Sequence, residues 1–242
     1  MSPKRIYAAD DEKNIRDILK LFLDDAGYET QVFPTGDELL AAFCARPCDL
    51  VILDIMMPGT DGVTVCKKLR EMSSVPIIML TAKETEMDYT IGLASGSDDY
   101  MVKPFKPSML VMRIKALLRR IELDRSGSAE TAAGGAQSYG DITYSEKLHS
   151  IVCRGVPVRL TGTELSVLRH LMDRQDAAVS REELLSRIWG LDASVETRVT
   201  DETVRRIRKK LRAAGSDVTI ITVWGYGYRL STAQQDETGA TP

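Results

Sequence analysis

Leu50-Val51-Ile52-Leu53-Asp54-Ile55-Met56-Met57-Pro58-Gly59 is the stretch that decides the fold. Four buried-type residues followed at once by a carboxylate place Asp54 at the carboxyl end of a strand. In open α/β sheets that end is where ligands bind. Three other segments repeat the arrangement. Asp10-Asp11 follow Arg5-Ile6-Tyr7-Ala8-Ala9, Thr81 follows Pro76-Ile77-Ile78-Met79-Leu80, and Lys103 follows Asp99-Tyr100-Met101-Val102. Carboxylates, a hydroxyl and an ammonium on four strand ends describe a site for a metal ion and a phosphoryl group.

The flanking segments alternate short apolar strands with amphipathic helices. Strands are predicted near 5–9, 29–33, 49–53, 76–80 and 99–102, and helices near 13–26, 35–45, 62–72, 84–94 and 107–121. In the first helix Ile15, Ile18, Leu19, Phe22 and Leu23 share one face, and Gly27 ends it. Five such βα units predict a doubly wound, five-stranded parallel sheet with helices on both faces. Residues 122–138 are small, polar and glycine-containing, which predicts a flexible linker between a domain over 1–121 and a second over 139–231. The second domain has short β-like pieces near 142–144, 150–153 and 156–160. Helices follow near 162–174, 181–188 and 197–213, then a hairpin of 218–223 with 226–230. Residues 232–242 read as a disordered tail.

A chain of 242 residues suits two domains, and 43% hydrophobic residues suffice for two cores. The net charge of −3 does not by itself announce a nucleic-acid binder. No apolar run approaches the ~20 residues of a membrane span, and no signal-peptide stretch follows Met1-Ser2-Pro3-Lys4-Arg5, so a cytoplasmic protein without membrane contact is expected. Cys44, Cys48, Cys66 and Cys153 lack zinc spacing and read as reduced thiols in or near the cores.

The chemistry of the first domain follows from the residue types. Mg²⁺ prefers hard oxygens, so Asp11 and Asp54 are its best direct ligands, with Asp10 nearby and the main-chain carbonyl of Met56 completing the set. A divalent cation relieves repulsion among three neighbouring carboxylates. Asp54 can then act as a nucleophile on a phosphoryl group. Lys103 would neutralise phosphoryl oxygens, and the Thr81 hydroxyl and Ala82 amide would donate to them. Each residue has a plainer reading: Asp10-Asp11 or Thr81 as helix caps, Asp61 and Gly62 as turn and cap residues. Pro104 biases Lys103 toward an extended conformation, and the isomer of that bond stays open.

The set Asp10-Asp11, Leu53-Asp54-Ile55-Met56-Met57-Pro58, Gly62, Thr81-Ala82 and Asp98-Asp99-Tyr100-Met101-Val102-Lys103-Pro104-Phe105 resembles the flavodoxin-like receiver domain of two-component response regulators. The resemblance implies that Asp54 takes a phosphoryl group from the phosphohistidine of a sensor histidine kinase. It also implies that Thr81 and Tyr100 rearrange together when it does.

The second domain carries Thr203-Val204-Arg205-Arg206-Ile207-Arg208-Lys209-Lys210-Leu211-Arg212, with six basic residues around an apolar stripe of Val204, Ile207 and Leu211. A charge run on a helix is usually a solvated face, but the aromatic and basic hairpin Trp224-Gly225-Tyr226-Gly227-Tyr228-Arg229 shifts the reading toward a wing. A helix about 12 Å across fits the major groove, where arginines read guanine edges. Thr161–Leu165 and Leu184–Gly190 supply supporting helices. These residues resemble the winged helix-turn-helix α+β effector of the OmpR/PhoB subfamily, with a recognition helix over about 197–212. The resemblance places Asp201, Thr203, Arg205 and Arg206 near base edges of double-stranded operator DNA. Arg208, Lys209 and Arg212 fall on phosphates, and Trp224 and Tyr226 in the wing. Trp224 departs from the basic residue common there. Residues 140–242 hold 15 basic against 14 acidic residues, so binding must come from a local patch.

The family mechanism implies homodimerisation on phosphorylation through the fourth helix, fifth strand and fifth helix. Asp98, Asp99, Arg113 and Arg120 would form intersubunit ion pairs there, and Ile91 and Leu110 apolar contacts. Tyr89 and Ala94 stand where the subfamily often carries a basic and an acidic residue, so at least one such pair is expected to be missing. RNA polymerase is a further candidate partner. Two other functions compete. A phosphohydrolase using Asp54 would carry a general acid two residues on, where Met56 stands. A constitutive DNA-binding protein with an inert receiver would not need the full set of site residues that this chain keeps.

Overall fold

The Leu50–Leu53 run lies at the centre of a parallel sheet in the computed structural model, which describes residues 3–82, 96–126, 137–175, 177–191 and 199–232. The strands are β1 (Arg5–Ala9), β2 (Glu29–Phe33), β3 (Leu50–Asp54), β4 (Ile77–Ala82) and β5 (Asp99–Lys103). They pair in the order β2-β1-β3-β4-β5, all parallel. Every residue of β3 is buried, which is why its sequence is apolar without alternation. The strand order reverses at β1 and β3, so their carboxyl ends bound the crevice that such sheets use for ligands.

Helices α1 (Lys13–Asp25), α2 (Gly36–Ala45), α3 (Gly62–Met72) and α4 (Pro107–Ser126) accompany the sheet. Ile6, Ala8, Leu50, Ile52 and Ile78 form a core with Leu19 and Leu23 of α1 and Leu110, Ile114 and Leu117 of α4. The buried stripe of α1 is narrower than its periodicity suggested: Ile18 is 39% and Phe22 41% exposed. Asp61 caps α3 by accepting from the Thr64 N–H at 2.7 Å, the plain role expected of it. Helix α1 has no side-chain cap, so Asp10 and Asp11 are not spent on that task. Helix α4 continues past Ile121, taking the first five residues of the segment read as a linker. The helix expected over 84–94 lies outside the described residues, as do 127–136 of the linker and 233–242 of the tail.

The chain divides into two compact units, one ending at Leu118 and the other beginning at Arg119. The second opens with an antiparallel sheet of β6 (Ser138–Tyr139), β7 (Ile142–Ser145), β8 (Ser150–Cys153) and β9 (Val156–Pro157). Helix α5 (Gly162–Arg174) begins at a reciprocal cap. Thr161 Oγ1 accepts from the Glu164 N–H at 3.3 Å, and Glu164 Oε2 accepts from the Thr161 N–H at 2.8 Å. The strand β10 (Val179–Ser180) leads into a short helix α6 (Arg181–Leu184) that widens to a π turn over Leu185–Trp189. Helix α7 (Val199–Ala213) precedes the hairpin of β11 (Val218–Val223) and β12 (Gly227–Thr232), which forms a sheet in the order β10-β12-β11. Among the described residues no helix is long and apolar enough to cross a membrane.

Candidate functional sites

Three strand ends of the first unit, those of β1, β3 and β5, meet at one ammonium. Lys103 Nζ lies 2.8 Å from Asp10 Oδ2, 3.2 Å from Asp54 Oδ1 and 3.5 Å from Glu12 Oε1. Asp10 and Asp54 are buried, whereas Asp11 is exposed at the mouth. One carboxylate oxygen from each of Asp10, Asp11 and Asp54 lies within 4.8 Å of the other two. Register explains the convergence. Parallel pairing sets Asp54 beside Leu80 and Ala82 beside Lys103, so Thr81 stands between them at the end of the sheet. Its hydroxyl donates to the Ala82 carbonyl at 3.1 Å. Tyr100 is buried in β5, and the Met56 side chain is 69% exposed. The Lys103–Pro104 peptide bond is cis.

The electrostatics are those of an under-neutralised acidic cluster. Burial pushes the Asp54 carboxyl above the ordinary range; Lys103 opposes this, while Asp10 and Asp11 add to it. Burial likewise raises Asp10 against the pull of Lys103. For Lys103, burial favours the neutral amine, but Asp10 and Asp54 outweigh it and hold the ammonium above its ordinary value. One ammonium faces three carboxylates, and Asp10 Oδ2 has no well-aligned hydrogen-bond donor. A hard divalent cation fits that deficit of positive charge and that set of oxygen donors.

Gly62 sets the distance between α3 and the site. A Cβ there would overlap the Asp54 carbonyl oxygen and press on Ile55, and the Gly62 N–H donates to the Ile55 carbonyl at 3.1 Å. Gly62→Ala is therefore expected to cost about 1–3 kcal/mol by overpacking against backbone. Denaturant unfolding measures it, and an unchanged midpoint would contradict the close approach.

Several residues expected on a dimer face are engaged inside the unit. The Asp98 carboxylate accepts from Arg70 Nη2 at 2.7 Å and from the Ile77 N–H at 3.0 Å. Arg113 Nη1 donates to Asp99 Oδ1 at 2.7 Å and to the Tyr100 carbonyl at 3.0 Å. Asp98, Asp99 and Arg113 are buried, and Leu110 is a core residue. The expectation of intersubunit ion pairs from these three, and of a surface contact from Leu110, is corrected accordingly. These charges close the ends of β4 and β5 and anchor α4. Tyr89, Ile91, Ala94 and the Arg120 side chain lie outside the described residues.

In the second unit α7 buries Val204, Ile207 and Leu211 as its periodicity predicts. Thr203 and Arg206 are buried with them, which corrects their assignment to base edges. Arg206 Nε donates to Glu164 Oε1 at 3.0 Å, and Arg206 Nη2 to Thr203 Oγ1 at 3.3 Å. Lys210 adds a second cation, 2.5 Å from Glu164 Oε2. The charge of Arg206 suggested a solvated position, but its spacing from Thr203 and Lys210 sets it on the face toward α5. Arg208 is also engaged: its guanidinium donates to the Ile220 carbonyl at 2.6 Å and to Thr222 Oγ1 at 2.9 Å, strapping α7 to β11. Asp201 accepts from Arg181 Nε at 3.1 Å and from the Tyr228 hydroxyl. Burial and the neighbouring Asp201 carboxylate push the Tyr228 phenol well above its ordinary range. The Arg181 guanidinium lies 4.8 Å above the Tyr228 ring.

Arg205, Lys209 and Arg212 remain as an exposed basic row at i, i+4 and i+7, with Arg205 also paired to Glu202. Trp224 is 91% and Tyr226 49% exposed on the wing turn. Glu164 was legible only as part of a supporting helix and Tyr228 only as part of the wing, and Arg181 carried no signal. The Thr161-x-x-Glu164 spacing marks a helix cap. Nothing in it signals that the same carboxylate holds Arg206.

Residues 6–115 match the family model for the response regulator receiver domain, and residues 155–230 match that for the C-terminal domain of transcriptional regulatory proteins. The transcriptional regulatory protein ResD of Bacillus subtilis is 36% identical over 233 residues, covering 96% of this chain and 97% of that protein. The transcriptional regulatory protein CseB of Streptomyces coelicolor is 38% identical, covering 93% of this chain and 97% of its own. The sensory transduction protein RegX3 of Mycolicibacterium smegmatis is 36% identical over 93% of this chain and 98% of its own. Among solved structures, a RitR variant aligns with a TM-score of 0.73 over 95% of this chain and all of that one, at 24% identity, which speaks for the fold alone. DrrB, a Thermotoga maritima OmpR/PhoB homologue, aligns at 0.50 with 28% identity over 95% of this chain and 99% of that one.

Proposed function

The chain belongs to the OmpR/PhoB family of two-component response regulators, a phosphorylatable receiver joined to a DNA-binding domain, and from that premise we propose the residues by which it receives its signal and delivers it. Asp54 is the phosphoacceptor. One of its carboxylate oxygens attacks the phosphorus of a kinase phosphohistidine, the P–N bond breaks, and the imidazole leaves with the electron pair and takes up a proton. Lys103 neutralises phosphoryl oxygens, and Thr81 and the Ala82 amide donate to them, with Tyr100 rearranging alongside Thr81. Asp10, Asp11, Asp54 and the Met56 carbonyl would hold Mg²⁺, which supplies positive charge against the carboxylates and the transferring group. The observation that carries this reading is the Lys103 ammonium held against both Asp10 and Asp54 where the strand order reverses.

The receiver is taken as 1–121, the connecting segment as 122–138, the DNA-binding domain as 139–231 and the tail as 232–242. The output is operator DNA occupancy in the cytoplasm. Arg205 faces base edges with Asp201 beside it; Lys209 and Arg212 meet phosphates, with Arg208 holding the wing to the helix. Phosphorylation favours a homodimer, for which Ile91 and Arg120 are the remaining candidate contacts, and RNA polymerase is a further partner. The alternative of a phosphohydrolase is disfavoured by Met56, which offers no proton where a general acid would stand. Incubation with Mg²⁺ and a small phosphodonor tests the reading. A stable stoichiometric label supports it, rapid turnover would mark a hydrolase, and no label would mark an inert receiver.

The division of roles on α7 has its own test. Arg205→Ala should lose about 1–3 kcal/mol of discrimination between a selected duplex and random DNA. Lys209→Ala should weaken both alike and reduce the salt slope by about one. Identical effects on the two duplexes would refute the division.

A further inference from the structure

The exposed row on α7 holds three cations, and one of them is already engaged. Arg205 Nε donates to both oxygens of Glu202, at 3.0 Å and 2.8 Å, and Arg205 Nη2 donates to Glu202 Oε1 at 2.5 Å. Among the described residues Lys209 and Arg212 have no carboxylate partner. Opposite charges three apart on a helix often pair, and a pair open to water contributes little. This pair is of another kind. The Glu202 side chain is 10% exposed and the Arg205 side chain 56%. The carboxylate sits in the first turn of α7, where the helix dipole favours it. It is also out of water, so release of Arg205 would leave a buried charge unpaired. Arg205 is therefore held in one orientation before any ligand arrives.

The same geometry decides which donors remain. Nε and one N–H of Nη2 face Glu202, and the end of the fork, Nη1 with the second N–H of Nη2, meets no partner among the described residues. Two N–H groups side by side on an exposed arginine match the O6 and N7 acceptors of guanine. A phosphate asks less of direction and more of charge, and Glu202 cancels the charge. Resting on the reading of Arg205 as a base-edge residue, we propose that Glu202 is a positioning residue for DNA recognition: it presents the end of the Arg205 fork to guanine and withholds the Arg205 charge from phosphates. Ordering of the long arginine side chain is then completed on folding and not on binding. Arg205 adds discrimination with little salt-dependent affinity, whereas Lys209 and Arg212 supply the reverse.

The full-length protein, a duplex selected from a randomised pool and a random duplex provide the test. Glu202→Gln keeps the shape of the side chain and removes its charge. It should lose roughly tenfold in discrimination, bind random DNA more tightly, and steepen the slope of log K against log salt by about one. A residue that merely stabilised α7 would lower both affinities and leave the salt slope unchanged. In an Arg205→Ala background, Glu202→Gln should change discrimination no further. A second measurement needs no Glu202 variant to fold. The Arg205 Hε resonance of the parent, identified by its loss in Arg205→Lys, should exchange with water far more slowly than that of a free arginine, both without DNA and in the complex with the selected duplex. The inference is overturned if that proton exchanges freely in either state, or if folded Glu202→Gln keeps the parent's discrimination and salt slope. Should the parent bind no duplex, or Arg205→Ala keep the parent's discrimination, the base-edge reading fails and takes the inference with it. Should Arg205→Ala lose discrimination while Glu202→Gln keeps it, only the role of Glu202 is refuted.

Discussion

Asp54→Asn should take up no phosphoryl group under conditions that label the parent chain stoichiometrically. The amide nitrogen and oxygen of asparagine lack the charge and nucleophilicity of the carboxylate. No neighbour replaces it: Asp10 is buried against Lys103 at 2.8 Å, and Asp11 stands outside at the mouth. The variant should nevertheless fold, and without Mg²⁺ it should melt at a higher temperature than the parent. Burial raises the Asp54 carboxyl in the folded state. A carboxyl with a raised folded pKa binds its proton more tightly folded than unfolded. Ionised at neutral pH, it therefore opposes folding, and that penalty is relieved as pH falls through the raised value. Asparagine removes the charge, while Asp10 stays to pair with Lys103. Saturating Mg²⁺ should then raise the melting temperature of the parent more than that of the variant. Residual label on Asp54→Asn would move the acceptor elsewhere, and a lower melting temperature would mean that the carboxylate supports the fold.

Glu164→Ala should destabilise the DNA-binding domain by about 3–5 kcal/mol, because it removes the carboxylate that balances a buried guanidinium. Glu164 is fully buried and Arg206 is 7% exposed, with 3.0 Å between them. The same substitution deletes half of the cap that starts α5, which adds about 1 kcal/mol. Lys210 is half-exposed and can turn to water when its partner is lost, whereas Arg206 cannot. Exchanging both buried partners for apolar residues, Glu164→Leu with Arg206→Met, should recover most of the loss. Denaturant unfolding of the single and double variants distinguishes the cases. A single variant within about 1 kcal/mol of the parent would contradict the buried pair as described.

Glu164 and Arg206 also illustrate what the sequence hides. The strand end at Asp54 was legible because four apolar residues in a row admit few other readings, and Lys103 because its flanking residues repeat that grammar. Helix periodicity was legible in α7, where Val204, Ile207 and Leu211 face inward. The misreadings of charged residues share one cause. A charged side chain was taken for a solvated one, although a charge can be buried when a partner from a distant segment meets it. Arg206 meets Glu164 across 42 positions, and Asp98 meets Arg70 across 28. No local pattern encodes such a pair. Leu110 erred the other way, since an apolar residue on a helix reads equally as a core or an interface position. In α1 the five apolar residues predicted one broad face, and the sheet covers only part of it, leaving Ile18 and Phe22 partly in water.

The central claim is that a phosphoryl group on Asp54 acts as a ligand whose presence sets DNA occupancy. A ligand shifts such an equilibrium only by binding one state better than the other. The direct measurement is the affinity of the full-length chain for its selected duplex, at one salt concentration, with Mg²⁺ alone and with Mg²⁺ plus a small phosphodonor. The account predicts tighter binding with the donor in the parent chain and no change in Asp54→Asn. Equal affinities in the parent, under conditions where the label on Asp54 is complete, would contradict it.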